Sequence, residues 1–244
     1  MANWSDPRTT AAPRPIGAGA REAAFDAGLR SYMLSVYNYM ASGVLLTGIV
    51  ALLFANSGYA QQVMYGPGLL KYLIIFAPLA FVLVLSFGIQ RLATGTAQML
   101  FWAFAVAMGL SLSTIFLVYT GTSIAQTFFA TAAAFAGLSL FGYTTKKDLS
   151  GFGTFLIMGV VGILVAMLIN IFVQSTALQL AISVIGVLLF AGLTAYDTQR
   201  IKSLYFQVAG SDMMGKTVIM GALTLYLDFI NMFTFLLQLV GDRR

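Results

Sequence analysis

The chain has no cysteine and no histidine. Without thiols there is no disulfide framework and no cysteine nucleophile, and without imidazole nearly every zinc site is lost. Any response to pH must then fall to carboxylates, because histidine is the side chain that ordinarily titrates near neutrality. Charge is scarce as well: Asp, Glu, Lys and Arg make up 9% of the 244 residues, against roughly a quarter in soluble domains. Apolar residues take up the difference, at 59% and a mean hydropathy of +0.89. That composition belongs to a membrane protein. The net charge of +5 is no footprint for nucleic acid. The basic residues are spread over short segments, with no cluster dense enough to follow a phosphate backbone.

Seven apolar runs are present, at about 33–54, 70–90, 97–119, 122–143, 152–173, 177–198 and 218–240. Each is close to the roughly 20 residues a helix needs to cross the hydrocarbon. The run lengths and the lack of alternation exclude a β-barrel. The expected fold is an all-α bundle of seven transmembrane helices, one membrane domain over residues 22–244. Residues 1–21, rich in Ala, Pro, Gly and Arg with no apolar core, read as a disordered cytoplasmic tail and not as a secretory signal. Residues 22–30 are amphipathic and are expected to lead into the first span along the membrane surface. The third and fourth spans, and the fifth and sixth, are joined by turns short enough for antiparallel hairpins. Ala105, Gly109 and Ser113, and likewise Ala133 and Gly137, step by four, a spacing that lets helix backbones approach in lipid.

Lysine and arginine set the orientation. With seven spans, Arg8, Arg14, Arg21, Arg30, Arg91, Lys146, Lys147, Arg200, Lys202 and Lys216 fall on the N-terminal side, and Lys71, Arg243 and Arg244 on the other. The expectation is an N-terminus in the cytoplasm and a C-terminus outside. A re-entrant last run would instead return the C-terminus to the inside.

The last run carries the most unusual residue. Asp228 lies about ten residues from the nearer end, or roughly 15 Å deep at about 1.5 Å per residue. Ionisable groups at that depth are costly and usually face a bundle interior or a wet cavity. Gly221, Thr224, Asp228, Asn231 and Gln238 recur at helical three- and four-residue steps. A helix with such a polar stripe should be wrapped by the others. Asp197, at the end of the sixth run, is the second acid within or at the edge of an apolar segment, and Arg91, at the end of the second, is the basic residue placed to reach both. Two carboxylates in a poorly solvated site cannot both ionise cheaply, so the pair would share a proton. With Arg91 the charges then sum to zero, a composition suited to a proton-operated latch. Plainer readings stand beside this one: Asp197 paired with Arg200 at the interface, Asp228 as a structural interhelical hydrogen bond, and Arg91 reaching to the headgroups.

These residues are also where the chain resembles a known family. AYDTQRIK after the sixth span, LYLDFINMF in the seventh, KKDLS between the fourth and fifth, and INIF followed by SVIG resemble the Bax inhibitor family, the transmembrane Bax inhibitor motif proteins, in its bacterial inner-membrane form. The resemblance implies a seven-helix bundle with the last helix central and a pH-dependent calcium leak. It also implies a pH-sensing pair at Asp197 and Asp228 that an arginine, here Arg91, latches. Some members carry an acid higher in the second span; Ala77 to Gln90 has none. Calcium takes six to eight oxygen ligands. Asp197, Asp228 and Asn231 are therefore expected to hold it weakly and in transit, with no cofactor and no tight metal site. The expected partners are the bilayer, calcium or other cations, and other membrane proteins, with no nucleic acid.

Two rivals remain. A non-transporting regulator would bind membrane proteases or stress and cell-death factors through its surface. An intramembrane aspartyl protease would use the two acids, but Leu225, Tyr226, Leu227 and Asp228 stand where its G-x-G-D motif should be. No serine-protease or H-E-x-x-H motif is present, and the chain reads as a non-enzyme.

Overall fold

A computed structural model describes residues 18–244, and the expected tail lies outside them as far as residue 17. The described chain is α-helical: α1 Ala18–Asn56, α2 Tyr59–Tyr65, α3 Leu70–Gly88, α4 Thr94–Val118, α5 Gly121–Thr144, α6 Ser150–Val173, α7 Thr176–Val208 and α8 Met214–Val240. Seven of these, all but α2, are long and apolar enough to cross a membrane. In hydrocarbon the backbone must satisfy its own polar groups, so each apolar run becomes one helix.

Three boundaries depart from the sequence reading. Residues 18–30 are no separate surface segment; they are the first turns of the same helix that spans, α1. From Phe25 onward the helix packs on α7: the ring of Phe25 lies 5.1 Å from that of Tyr205, and Tyr32 5.3 Å from it. α7 correspondingly runs ten residues beyond Thr198, its polar end held against α1. The short α2 was not anticipated. α8 is a single unbroken helix, which rules out a re-entrant hairpin.

The two tight turns have local causes. Gln174 takes a left-handed conformation, φ 51°, to end α6, and the Ser175 side chain accepts from Leu178 N at 3.3 Å to start α7. Thr120 likewise caps α5 through Ser123 N at 3.3 Å. α6 and α7 then pack as a hairpin, whereas α4 and α5 diverge and touch little.

α8 is the centre. It lies against α1, α4, α5 and α7, and 56% of its most apolar window is buried, against 11% for α3 and α6 at the periphery. The small-residue step on α4 packs as expected: a Cβ on Gly109 would strike Thr47 O and Val50 of α1, both at 2.8 Å. The one on α5 does not. Ala133 and Gly137 are exposed, and a Cβ on Gly137 would meet nothing. Small residues permit close approach but do not compel it.

We call the end of the bundle that carries Arg91, Lys146, Lys147 and Arg200 the basic end. At the opposite end the C-terminal residues close the α4–α5 turn: Thr120 N donates to Asp242 O at 3.0 Å, Arg244 N to Val118 O at 2.9 Å, and Arg243 lies 5.9 Å over the Tyr119 ring.

Candidate functional site

The α7–α8 seam is built by small residues of each helix receiving large ones of the other. Gly186 of α7 faces the Phe235 ring at 2.7 Å, measured from where a Cβ would stand. Phe190 stacks on the same ring at 5.9 Å. Gly221 of α8 receives Ile201. Between these contacts the polar side of each helix turns inward. Asp197 is 7% exposed and Asp228 4%, and the two carboxyls lie within hydrogen-bonding reach of each other. A hydrogen bond between two carboxyl groups exists only if one of them carries a proton, because an ionised carboxylate is acceptor-only. The second oxygen of Asp228, Oδ2, is buried with no hydrogen-bond partner. Leaving such an atom unmet costs about 1–3 kcal/mol, and native structures tolerate few.

The neighbouring polar groups are occupied with one another. Thr198, next to Asp197, shares a hydrogen bond with Ser139 of α5 at 2.9 Å, and Ser139 shares one with Tyr37 of α1 at 2.6 Å. On the other flank, Tyr226 of α8 shares one with Thr47 of α1 at 2.6 Å, while Thr47 donates to Ala105 O of α4 at 2.8 Å. These two hydroxyl chains tie α1, α4, α5, α7 and α8 together around the acids. Sequence reasoning missed them. Serine and threonine are common in spans and most simply bond their own helix, as Thr131 does to Thr127 O and Thr194 to Phe190 O.

Asn231, three residues past Asp228, donates from Nδ2 to Leu227 O at 2.8 Å, leaving its carbonyl oxygen as the one it could offer a cation. Among the described residues no three His, Cys, Asp or Glu side chains come together. A cation at this place would therefore find two carboxylates and one amide, far short of a full calcium shell. Gln238, expected on the same stripe, belongs to a different cluster at the far end. It accepts from Gln179 Nε2 at 2.7 Å and from Ser183 Oγ at 3.4 Å, and Gln179 in turn accepts from Asn170 Nδ2 at 3.1 Å. That amide cluster, joining α6, α7 and α8, was also missed.

Arg91 is not brought to the acids. It sits exposed in the turn after α3, its backbone N–H donating to Gly88 O at 2.9 Å, and the described residues form no salt bridge. The cation whose field reaches Asp197 is Arg200, one turn further along α7. The physical reason is where α3 packs: against α4 and α2, at the rim of the bundle. The Arg91 turn nevertheless rests on the start of α8. Lys216 Nζ donates to Gln90 O at 3.1 Å, and Gly215 lies against Thr94.

Comparison with known proteins agrees with this architecture. The family described as "Inhibitor of apoptosis-promoting Bax1" matches residues 29–244. Inner membrane protein YbhL of Escherichia coli (strain K12) is 49% identical over 220 residues, covering 89% of this chain and 94% of that protein. Uncharacterized protein RP147 of Rickettsia prowazekii (strain Madrid E) is 48% identical over 221 residues, 90% of this chain and 93% of its own. A protein of Caulobacter vibrioides is 45% identical over 240 residues, 95% and 96% of the two chains. With the match running from the first span to the last residue, and with seven helices able to span, α8 the central one among them, the chain is a multi-pass membrane protein of the Bax inhibitor family.

Proposed function

We propose that the protein is a pH-sensitive leak pathway for calcium, or a cation like it, across the bacterial inner membrane, controlled by the proton shared between Asp197 and Asp228. The observation that carries this reading is the acid pair itself: two carboxyls buried against each other, with one oxygen of Asp228 unmet. Intramembrane acids are expensive and mark ion and proton paths more often than packing. With one proton the pair closes α7 onto α8 through a hydrogen bond. Without it two anions face each other, repelling and attracting a cation; with two protons the attraction for a cation is gone. Each change alters how α8 sits among its neighbours. Because the start of α8 bears the Gln90–Thr94 turn, that displacement is the route by which Arg91 would come to hold the pair.

The ratio of ten basic residues to three supports a basic end in the cytoplasm and a C-terminus outside. The acids would then lie nearer the cytoplasmic mouth. Calcium meets Asp197, Asp228 and the Asn231 carbonyl oxygen as a weak, transient set, as conduction requires.

Calcium flux from proteoliposomes of purified protein, over a pH range of about 5 to 8 in which a buried acid can titrate, is the direct test. Flux that changes with pH is expected, with Arg91→Ala raising the basal leak. Passage of no ion at any pH overturns the channel and leaves a non-transporting membrane regulator.

A further inference from the structure

A sizeable cavity lies away from the acid pair. α1 and α5 both lean on α8 with little backbone contact between them, and a lateral fissure of about 770 Å³ opens between them, bridged at the Tyr37–Ser139 hydrogen bond of 2.6 Å. A second cavity of about 360 Å³ shares Val44, Leu45, Phe128 and Phe229 with the first and continues it toward the far end. Together they follow α1 from Arg30 to Leu52, about 33 Å at about 1.5 Å per residue, close to the roughly 30 Å of a hydrocarbon core. The fissure stays open because the facing positions are small, Ala41 on α1 with Ala132 and Ala136 on α5. Its floor is the Phe229 ring of the central helix.

Its chemistry is uneven along its length. The walls are apolar, and polarity collects at the basic end, at Arg30, Tyr37, Ser139 and Tyr143. Arg30 is exposed and, like the other described cations, in no salt bridge; Asp26, one turn back on its own helix, is the nearest acid in sequence. Behind Tyr143 stands a second cation: Lys202 Nζ donates to Tyr143 O at 2.8 Å and lies 4.8 Å over its ring. A membrane-deep apolar slot with cations and tyrosines at one mouth has the polarity of a phospholipid, chain along the slot and phosphate at the mouth. The charge chooses the headgroup, since a zwitterionic lipid would bring its own cation toward Arg30 and Lys202.

We propose that the α1–α5 fissure is a binding site for one anionic phospholipid, an acyl chain lying over Phe229 and the phosphate held at Arg30. The site does not depend on ion conduction and is read without it. Native mass spectrometry of the full chain, titrated in detergent with phosphatidylglycerol and with phosphatidylcholine of matched chains, counts the bound lipid. The anionic lipid should be retained about fivefold better, the equivalent of the roughly 1 kcal/mol a basic residue contributes at an anionic membrane surface. Arg30→Gln should bring that ratio close to one while leaving chain-driven binding. Ala136→Phe, at an exposed position where it fills the slot without entering the core, should reduce retention of both lipids, with an unchanged melting temperature showing that the bundle is intact. Equal retention of the two lipids by the unsubstituted protein, or a preference that neither variant alters, overturns the site and reduces the fissure to a surface that any lipid wets.

Discussion

Toward the far end of the α7–α8 seam, Gln179 donates to Gln238 at 2.7 Å, with Ser183 and Asn170 completing the set. Nearer the basic end the same two helices meet through Asp197 and Asp228. Both fastenings are polar contacts between spans, yet they differ in how they depend on pH. Amides keep their donors and acceptors at every ordinary pH, so the far-end clamp is constant. The acids bond only while at least one of them carries a proton. One seam thus combines a contact that does not depend on a proton with one that does, and under the proposed function the second is where α8 would respond to pH.

The strongest way to break this contrast is to make both ends alike. Asp197→Asn with Asp228→Asn replaces the conditional contact by a neutral one, and the pH dependence of flux should disappear, with thermal stability flat over the same range. A leak that keeps its pH response in the double variant, and in each single one, rejects the acids as the sensor. Next in size is the packing of α5 on α7 two residues before Asp197. A Cβ on Gly142 of α5 would collide with the Ala195 carbonyl of α7, so Gly142→Leu should cost at least the roughly 1–3 kcal/mol of an overpacked core, read as a lower melting temperature at all pH values. Unchanged melting would mean that α5 does not hold α7 in place there.

Loosening the constant end is a smaller change. Gln179→Leu with Gln238→Leu should lower stability by about 0.6 kcal/mol per lost interhelical bond and leave the shape of the flux–pH curve as it was. A changed curve would show that the amide cluster is part of the sensor. Asp148, outside the spans, provides the smallest effect and a control for acid behaviour in general. The Ser150 side chain and backbone N–H, the latter at 2.9 Å, hold its carboxyl below the usual 3.8. Its contribution is therefore complete above that value and is lost as the pH falls through the lower folded one. Asp148→Asn should remove a slight acid-side slope in stability and change nothing near neutrality, whereas a variant with an altered neutral-range flux would contradict that assignment.

Asp197 and Asp228 were legible in the sequence because an acid inside an apolar run has few bland explanations. Arg91 was placed by span ends alone, which say that it lies near one membrane face but not which helices surround it there; α3 takes it to the rim. The hydroxyl chains from Tyr37 through Ser139 to Thr198, and from Tyr226 through Thr47 to Ala105, left no usable signal, since a span serine that crosses to another helix looks the same as one that bonds its own. Ala105–Gly109–Ser113 and Ala133–Gly137 carry the same spacing with opposite outcomes, one packed against α1 and one facing outward.

The number of spans, their approximate ends and the family were determined by the sequence alone. The bilayer forces every long apolar run to satisfy its backbone as a helix, so run length maps directly onto structure. Which face of each helix meets protein, that α1 and α5 leave a fissure between them, and that two acids 31 positions apart in the chain come together were decided only by the tertiary structure. Lipid tails are as apolar as leucine, so hydrophobicity cannot tell a neighbour from the membrane. Shape and a few polar contacts make that choice.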